Sequence, residues 1–403
     1  MKKKIILGLS SVLLLSGCGG SGTGDSKITL TVWEDVNNHE MLQTVAENFI
    51  ANYKTRYPSA PDIAISFVEE TEGAATDDLS RDGPAGNGPD VFAFVHDTLS
   101  SAVNNDLIAP VSDPDYLLNH HSAQAVRAFT YEDIVYGYPI TSESLVLMYD
   151  SSKLTASDVA SYENIKASGE KIVQDVANSS SCAYYTFNFL NDVNLFGANG
   201  VDKSQLNLAT TQAVNNLTTL TKEYQNVIVN GTPDEALTII SVGDASGVIS
   251  SPYLWSTFKD RIGASAKMAV VPSINGITAR PFSGYKGYGV SRYSKHPELA
   301  QMLAKYLVGD LAQEIRFVQK GLIPTLVDNS SLNSRVSASS EATTFIDSLN
   351  NSLTMPNIVA MGSYWADMQD AITEIWNLGT SATDSAVAEI LSTTTSSIKN
   401  KIA

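Results

Sequence analysis

Residues 28–53, ITLTVWEDVNNHEMLQTVAENFIANY, contain the two periodicities that indicate the fold class. Ile28, Leu30 and Val32 alternate with Thr29, Thr31 and Trp33, which predicts a strand with one strongly buried face. From residue 41 onward apolar residues recur at helical spacing, after Asn37 and Glu40 as start signals. That apolar set is Met41, Leu42, Val45, Phe49, Ile50 and Tyr53. The stretch therefore predicts a strand followed by an amphipathic helix.

Further segments extend this pattern along the chain. Residues 62–69 and 91–95 are predicted strands, the latter entered through a turn at 86–89. The order strand, helix, strand, loop, strand is typical of an open α/β sheet with crossover helices. Strands are also predicted at 247–249 and 267–271. A helix is predicted from Pro297, and the last hundred residues are expected to be mostly helical.

The composition limits the classes of function. The 403 residues include 26 Lys and Arg against 43 Asp and Glu, a formal net charge of −17. An acidic surface repels phosphate backbones, so we expect no nucleic-acid partner. With 43% hydrophobic and 17% charged residues the chain is an ordinary globular protein, and its length predicts about two domains. Two cysteines exclude a disulfide scaffold and a Cys-based zinc cluster, and we expect no metal or cofactor.

The N-terminus predicts export and a lipid anchor. Lys2, Lys3 and Lys4 precede an apolar run at 5–15, which is too short for the ~20 residues that span a bilayer. Residues 15–18, LSGC, match the bacterial lipoprotein signal, in which the cysteine is lipidated and becomes the new N-terminus. A general secretory signal with an incidental cysteine is the alternative. We predict a signal peptide at 1–17, lipidation of Cys18, and a flexible tether over 18–26, anchored at the outer face of the cell membrane.

Common catalytic signatures are missing from the sequence. There is no HExxH, no pair of histidines at i, i+4, no GxSxG and no Gly-Lys dipeptide of a phosphate-binding loop. Adjacent carboxylates such as those at 34–35, 69–70 and 77–78 do not by themselves form a glycosidase pair, since neighbouring strand residues point to opposite faces. We therefore expect a binding protein and not an enzyme, with a surface-tethered glycosidase as the alternative.

Four ordered segments resemble the maltose/maltodextrin-binding proteins, the extracellular solute-binding components of ABC sugar importers. They are 88–97, GPDVFAFVHD; 136–140, YGYPI, continuing to Glu143 and Tyr149; 251–255, SPYLW; and 355–358, MPNI, followed by Tyr364 and Trp365. The resemblance covers almost the whole chain from about residue 27.

The resemblance implies a two-lobed, periplasmic-binding-protein-like (type II) α/β fold with the ligand cleft between the lobes. We expect an N-terminal lobe of 27–140 plus 285–338 and a C-terminal lobe of 141–284 plus 339–403. The chain would cross between lobes near 140–145, near 281–284 and near 335–345. The partners implied are an oligosaccharide, maltodextrin first, and the permease subunits of an ABC transporter, with the receptor acting as a monomer. A related receptor for a non-sugar solute is the other alternative.

The same resemblance implies the site. A sugar ring has apolar faces and a rim of hydroxyls, so its receptor needs flat aromatic surfaces and groups that accept or donate hydrogen bonds. The matching aromatic positions are Phe94, Tyr184, Tyr253 and Trp365, and the matching hydroxyl acceptors are Glu34 or Asp35, Asp97 and Glu143. From the residues alone, strand core is the favoured explanation for Phe94, and helix core explains Trp365 as well as ligand contact does.

The chain departs from the family pattern at several of these positions. Thr98 and Gln369 stand where the family commonly has arginines, and Cys182 stands where a carboxylate is expected. Phe94 and Tyr253 replace tryptophans. Smaller aromatics and fewer charges indicate weaker binding or a different oligosaccharide. Cys182 itself is predicted to be a small buried hydrophobe.

Overall fold

The computed structural model describes residues 27–198 and 200–402, so the predicted signal peptide, Cys18 and tether lie outside the described residues. The elements up to residue 144 are β1 (Ile28–Glu34), α1 (Val36–Arg56), β2 (Ile63–Glu69), α2 (Ala75–Asp82), β3 (Val91–Val95), α3 (Leu99–Asn104), β4 (Ile108–Ala109), α4 (Pro114–His120), α5 (Ala123–Ala128), β5 (Thr130–Tyr131), β6 (Ile134–Val135) and β7 (Gly137–Ser144).

The middle of the chain forms β8 (Val146–Asp150), α6 (Tyr162–Ser168), β9 (Ile172–Gln174), α7 (Cys182–Tyr185), α8 (Thr211–Glu223), β10 (Ile228–Asn230), α9 (Pro233–Ser241), β11 (Gly247–Ser250), α10 (Trp255–Ile262), β12 (Ala266–Val270) and β13 (Phe282–Ser291). The remainder forms α11 (Pro297–Tyr306), α12 (Asp310–Lys320), α13 (Ser330–Ala338), α14 (Ser340–Asn350), β14 (Leu353–Thr354), α15 (Met361–Asn377) and α16 (Asp384–Ile402).

The first sheet has the order β14-β13-β3-β1-β2, with β4 and β7 also paired to β13. Within it β1 runs parallel to β2 and β3, whereas β13 runs antiparallel to β3. Parallel neighbours need crossover connections, and α1 and α2 provide them. The strand, helix, strand order predicted from the sequence is confirmed here.

The second sheet has the order β10-β9-β11-β8-β12. Its strands β9, β10 and β11 are parallel, and β8 is antiparallel to both β11 and β12. Helices from the last quarter of the chain pack against this half, including α15 and α16 through Met368, Ile372 and Leu391. The described chain therefore contains two α/β halves, each built around its own sheet.

The strands β7 and β13 connect these halves. β7 ends at Ser144 and the chain enters β8 of the second sheet two residues later, while β13 leads back into the first sheet. The two strands pair antiparallel from Ser283↔Ser144 to Gly289↔Gly137, with a bulge at Lys286/Gly287. The ten-residue β13 was not predicted, because its sequence FSGYKGYGVS shows no simple alternation and it is buried along nearly its whole length.

The packing of α13 differs from the expected lobe division. The sequence analysis placed residues 285–338 in the N-terminal lobe, with a crossing near 335–345. The buried Leu332 and Val336 of α13 instead pack with Met148 and Phe258 of the second half. The preceding residues still contact the first half, because Leu326 forms a bridge with His121. Ile323, which precedes this bridge, packs in the same cluster as α13, so the segment from 323 to 332 contacts both halves.

No helix within 27–198 or 200–402 combines the length and the hydropathy that a membrane-crossing segment needs.

Candidate functional site

A cavity of about 450 Å³ lies where the two halves meet. From the first half it is lined by Glu34 and Asp35, at the junction of β1 and α1. From the second half it is lined by Tyr253, which follows β11 in a short 3-10 turn. Three residues predicted from the sequence therefore share one cavity, although up to 219 positions separate them.

Tyr253 is the most exposed of the predicted aromatic side chains. It is 45% exposed although it is a large apolar ring. Burial of its hydroxyl raises the pKa of Tyr253 above its ordinary value, and Asp234 acts in the same direction. An exposed aromatic ring beside a cavity is a surface that a ligand can cover.

Glu34 forms the buried end of the cavity wall. It is 2% exposed and accepts hydrogen bonds from the Tyr288 hydroxyl and, at 2.9 Å, from the amide of Asn38. Arg316 donates to the same Tyr288 hydroxyl at 2.9 Å. Burial raises the pKa of Glu34, while Arg316 and Tyr288 act in the opposite direction. The network holds one carboxylate oxygen against Tyr288 and positions the group at the cavity.

Asp35 serves the helix as well as the cavity. Its side chain is the N-cap of α1 and accepts from the backbone N–H of Asn37 at 2.8 Å. One of its oxygens is therefore committed to the first turn of the helix, since an N-cap satisfies an otherwise unpaired backbone donor. The start of α1 is set by Asp35, one position before the helix, and not by the Asn37 and Glu40 signals.

Lys286 lines the cavity but was not among the residues predicted from the sequence. Its ammonium lies 3.3 Å from a carboxylate oxygen of Glu72 and 3.2 Å from one of Glu143, and the lysine and Glu72 both line the cavity. Burial works to lower the pKa of Lys286, but Glu143 and Glu72 outweigh it, so the pKa lies above its ordinary value. The sequence offered one signal for this role: Lys286 is the one charged residue among the ten residues of β13.

Glu143 is held by groups from both halves. Besides Lys286 of β13, the hydroxyl of Ser251 donates to its other oxygen at 2.8 Å. Ser251 directly follows β11 of the second sheet. Glu143 therefore lies where β7 leaves the first sheet and is fixed from each side.

Tyr184 and Trp365 form a second aromatic group around Phe282. The ring of Tyr184 stacks on Phe282 at 6.0 Å between centroids, and Trp365 meets Phe282 edge-on at 5.8 Å. Both side chains are partly buried. Burial raises the pKa of Tyr184, and Glu143 and Asp97 contribute in the same direction, which places Tyr184 within electrostatic reach of two predicted acceptors.

Asp97 lies in the short 3-10 turn that follows β3 and is partly buried. Its neighbour His96 is fully buried and receives the backbone N–H of Tyr285 at its Nδ1, so its Nε2 carries the proton and donates to the Met355 carbonyl at 3.0 Å. Burial lowers the pKa of His96, with Asp97 opposing. His96 thus ties β3 to β13 and to the segment after β14 and positions Asp97.

Phe94 lies in the core and not on the cavity. It is 0% exposed and packs between Phe92 at 5.4 Å and Phe129 at 5.3 Å. A ring covered on all sides offers no face to a sugar. The expectation that Phe94 stacks on ligand is corrected accordingly, and the strand-core explanation describes its packing.

The arrangement is suited to binding a polar, hydroxyl-rich solute. The cavity carries the carboxylates of Glu34, Asp35 and Glu72 and the cations of Lys286, Arg316 and Lys320. Because three carboxylates and three cations line the cavity, their charges offset one another, and such a cavity suits a neutral ligand better than a strongly charged one. Within 27–198 and 200–402 no group of three His, Cys, Asp or Glu side chains is placed to hold a metal ion.

Comparisons with known proteins agree with this architecture. A family profile described as bacterial extracellular solute-binding protein matches residues 49–344. The galactooligosaccharide-binding protein of Bacillus subtilis (strain 168) is 24% identical over 389 residues, covering 89% of this chain and 88% of the relative. The maltodextrin-binding protein MdxE of the same strain is 22% identical over 415 residues, covering 96% and 95%.

Solved structures share the fold. The maltodextrin binding protein MalE1 from L. casei BL23 without ligand superposes with a TM-score of 0.80 at 20% identity, over 93% of this chain and 99% of that chain. A cyclo/maltodextrin-binding protein complexed with maltotetraose superposes with a TM-score of 0.75 at 22% identity, over 95% and 99%. The predicted two-lobed, type II periplasmic-binding-protein fold is therefore confirmed.

Proposed function

The chain belongs to the family of bacterial extracellular solute-binding proteins, and we propose on that basis that it captures an oligosaccharide and delivers it to the permease subunits of an ABC importer. The observation that carries the sugar assignment is the cavity between the halves, which the exposed ring of Tyr253 lines together with the carboxylates of Glu34 and Asp35. An aromatic face beside hydrogen-bonding groups matches a sugar ring, which is apolar on its faces and polar at its rim.

Maltodextrin is the first candidate ligand, and a galactooligosaccharide is the second. The first rests on the resemblance of the four sequence segments and on the relative named for maltodextrin. The second rests on the relative named for galactooligosaccharide, which is similar over nearly as much of the chain. Because the arginines common in maltose-binding proteins are replaced by Thr98 and Gln369, the two ligands have to be compared directly.

The proposed site keeps seven of the predicted residues. Tyr184, Tyr253 and Trp365 would supply stacking surfaces, and the hydroxyl acceptors would be Glu34, Asp35, Asp97 and Glu143. To these we add Lys286, whose ammonium holds Glu72 and Glu143 and lines the cavity. Phe94 is left out because its ring is completely covered.

Two lobes are proposed, one around each sheet. The N-terminal lobe would comprise residues 27–140 and 285 to about 328, and the C-terminal lobe 141–284 and the chain from α13 onward. This division places the last lobe boundary before α13 and not at residue 338, because α13 packs in the core of the second half. We propose a monomer, in which closure of the two lobes encloses the ligand.

The experiment that tests the proposed function is a thermal-shift screen of residues 27–403 against maltodextrins, galactooligosaccharides and monosaccharides. A ligand at 100 times its Kd stabilises a protein by about 2.7 kcal/mol, so a binder is readily seen. We expect a shift with one oligosaccharide class and stoichiometric binding in calorimetry. Product formation from the same sugar would favour the glycosidase, and no shift with any sugar would refute the assignment.

The lipid anchor is proposed separately, at Cys18. Replacing Cys18 by Ala should leave folding and sugar binding unchanged and release the protein from the membrane fraction, because the anchor precedes the described lobes by a glycine-rich segment. Fractionation of cells expressing the two forms measures this. Retention of the Cys18→Ala form in the membrane would contradict the proposal.

A further inference from the structure

A second cavity of about 320 Å³ adjoins the cleft cavity. Three residues, Ser256, Gln319 and Lys320, line both cavities, so the two are neighbours and share a rim. Tyr253 lines the first cavity, and Trp255, two residues further along at the start of α10, lines the second. An oligosaccharide with one sugar ring at Tyr253 would extend past Ser256, which lines both cavities, towards Trp255.

The second cavity has the composition of a site for a ring with hydroxyls. Trp255 is partly buried, and one face of its indole stacks on Phe258 at 6.1 Å and 18°. Lys259, Lys320 and Glu341 supply donors and an acceptor around it. The Glu341 carboxylate accepts from the hydroxyls of Ser339 at 3.3 Å and Ser340 at 3.0 Å, which hold it in place at the start of α14.

The walls of this cavity come from both halves of the molecule. Trp255 and Lys259 belong to α10, whose Phe258 packs in the core of the second half. Phe317 and Lys320 belong to the end of α12, a helix that packs on the core of the first half through Ala312 and on that of the second half through Phe317. An occupant would therefore lie mainly against the second half and would also contact the end of α12.

We propose that this cavity is an additional subsite, which binds a further ring of a longer oligosaccharide with Trp255 as its platform. The inference rests on the proposed function and extends it to chain length: the receptor prefers chains long enough to reach Trp255. Covering apolar ring surface stabilises the complex in proportion to the area removed from water, so each chain that reaches the subsite gains affinity.

The test is calorimetric titration with two ladders, maltose against maltohexaose and galactobiose against galactotetraose. In the unaltered protein the longer member of the ladder that binds should bind at least tenfold more tightly than the shorter. In Trp255→Leu, which keeps an apolar side chain on Phe258, this ratio should fall to about twofold, while affinity for the short sugar changes less than twofold. Glu341→Gln, which removes a charge from the cavity wall and leaves Trp255 in place, should lower the ratio about threefold.

Trp376→Leu is the matched control, because Trp376 lies on α15 and lines neither cavity. In Trp376→Leu the ratio of the affinity for the longer sugar to that for the shorter should equal the ratio in the unaltered protein. A ratio unchanged in Glu341→Gln and in a folded Trp255→Leu would overturn the subsite, as would a wild-type protein that binds a short sugar without gain from length. Absence of binding to every sugar would overturn the proposed function and the subsite with it.

Discussion

At the scale of single residues, the two tryptophans of α15 differ in what surrounds them. Trp365 meets Phe282 and Tyr364 edge-on, at 5.8 and 5.2 Å between ring centroids, beside Tyr184 of the proposed site. Trp376 is also partly buried against the same core, and its carbonyl accepts a hydrogen bond from Gln225. From the residues alone Trp365 was explained equally by ligand contact and by helix core, and the family resemblance assigned it to the sugar site.

Substitution of each tryptophan by alanine separates these roles. Because both rings are only partly buried, each change should cost less than the ~3–5 kcal/mol that a fully buried aromatic residue loses. Trp365→Ala should in addition weaken sugar binding more than tenfold, whereas Trp376→Ala should leave the Kd unchanged. Denaturant unfolding and calorimetry measure both quantities. Normal affinity in a folded Trp365→Ala protein would remove Trp365 from the site.

We expect His121 to make the free energy of unfolding depend on pH. It is 2% exposed, and its Nδ1 bonds to the Thr325 hydroxyl at 2.8 Å where the chain approaches the crossing into α13. Burial lowers the pKa of His121 to about 4, with His120 acting in the same direction and Asp328 opposing. An unfolded histidine has a pKa of about 6.5, so on acidification the unfolded chain takes up a proton before the folded one does.

The contribution of His121 is therefore complete above about pH 6.5 and is lost as the pH falls towards about 4. A shift of this size corresponds to about 3 kcal/mol. Between pH 7 and pH 4 the wild-type protein should lose up to this amount relative to His121→Asn, since asparagine does not titrate. Urea unfolding of both proteins over that range measures the difference. Parallel stability curves would contradict the prediction.

At the scale of elements, the strand pair β7 and β13 depends on glycines that allow a ring to approach the backbone. A Cβ at Gly287 would lie 2.4 Å from the Phe129 ring, and one at Gly137 would lie 2.5 Å from it. Contacts this short cannot be accommodated unless the ring or the strand moves. These positions explain why β13 carries little of the β-branched composition from which strands are recognised.

Gly287→Ala should therefore destabilise the protein by about 1–3 kcal/mol through overpacking. Gly362→Ala is the matched control, because Gly362 lies in α15 with no atom within 4 Å of its would-be Cβ. That change should stabilise by about 0.5–1 kcal/mol, since alanine favours a helix more than glycine does. Thermal unfolding ranks the two, and equal midpoints would argue against the packing at Phe129.

At the scale of the whole molecule, the connections between halves are few. They run through β7, through β13 and through the segment before α13. Because the connections are few, the two halves can rotate about them as about a hinge. A ligand that contacts both halves shifts the population towards the closed form. Glu143, held from one half by Lys286 and from the other by Ser251, lies at this junction.

Small-angle scattering tests the closure. The radius of gyration should decrease when a binding oligosaccharide is added, because the closed form is more compact. A sugar that does not bind serves as control. An unchanged radius of gyration with saturating ligand would contradict the hinge.

The sequence by itself determined the α/β fold class and the positions of β1, β2, β3, β11 and β12, to within a residue or two at their ends. Those features depend on local periodicity, which each segment carries alone. Four ordered segments were also enough to indicate the family, which the family profile confirms.

Only the tertiary structure decided what surrounds each side chain. Phe94 is covered because Phe129, thirty-five residues away along the chain, packs on it. Lys286 lines the cavity because β13 brings it between Glu72 and Glu143, and Arg316 lines it because α12 places it beside Tyr288. These contacts join residues that are far apart in the sequence. The periodicity of a single segment therefore does not show which of its side chains are covered or which charged groups they pair with. The physical reason is that side-chain environment is a property of packing between elements, whereas periodicity is a property of each element alone.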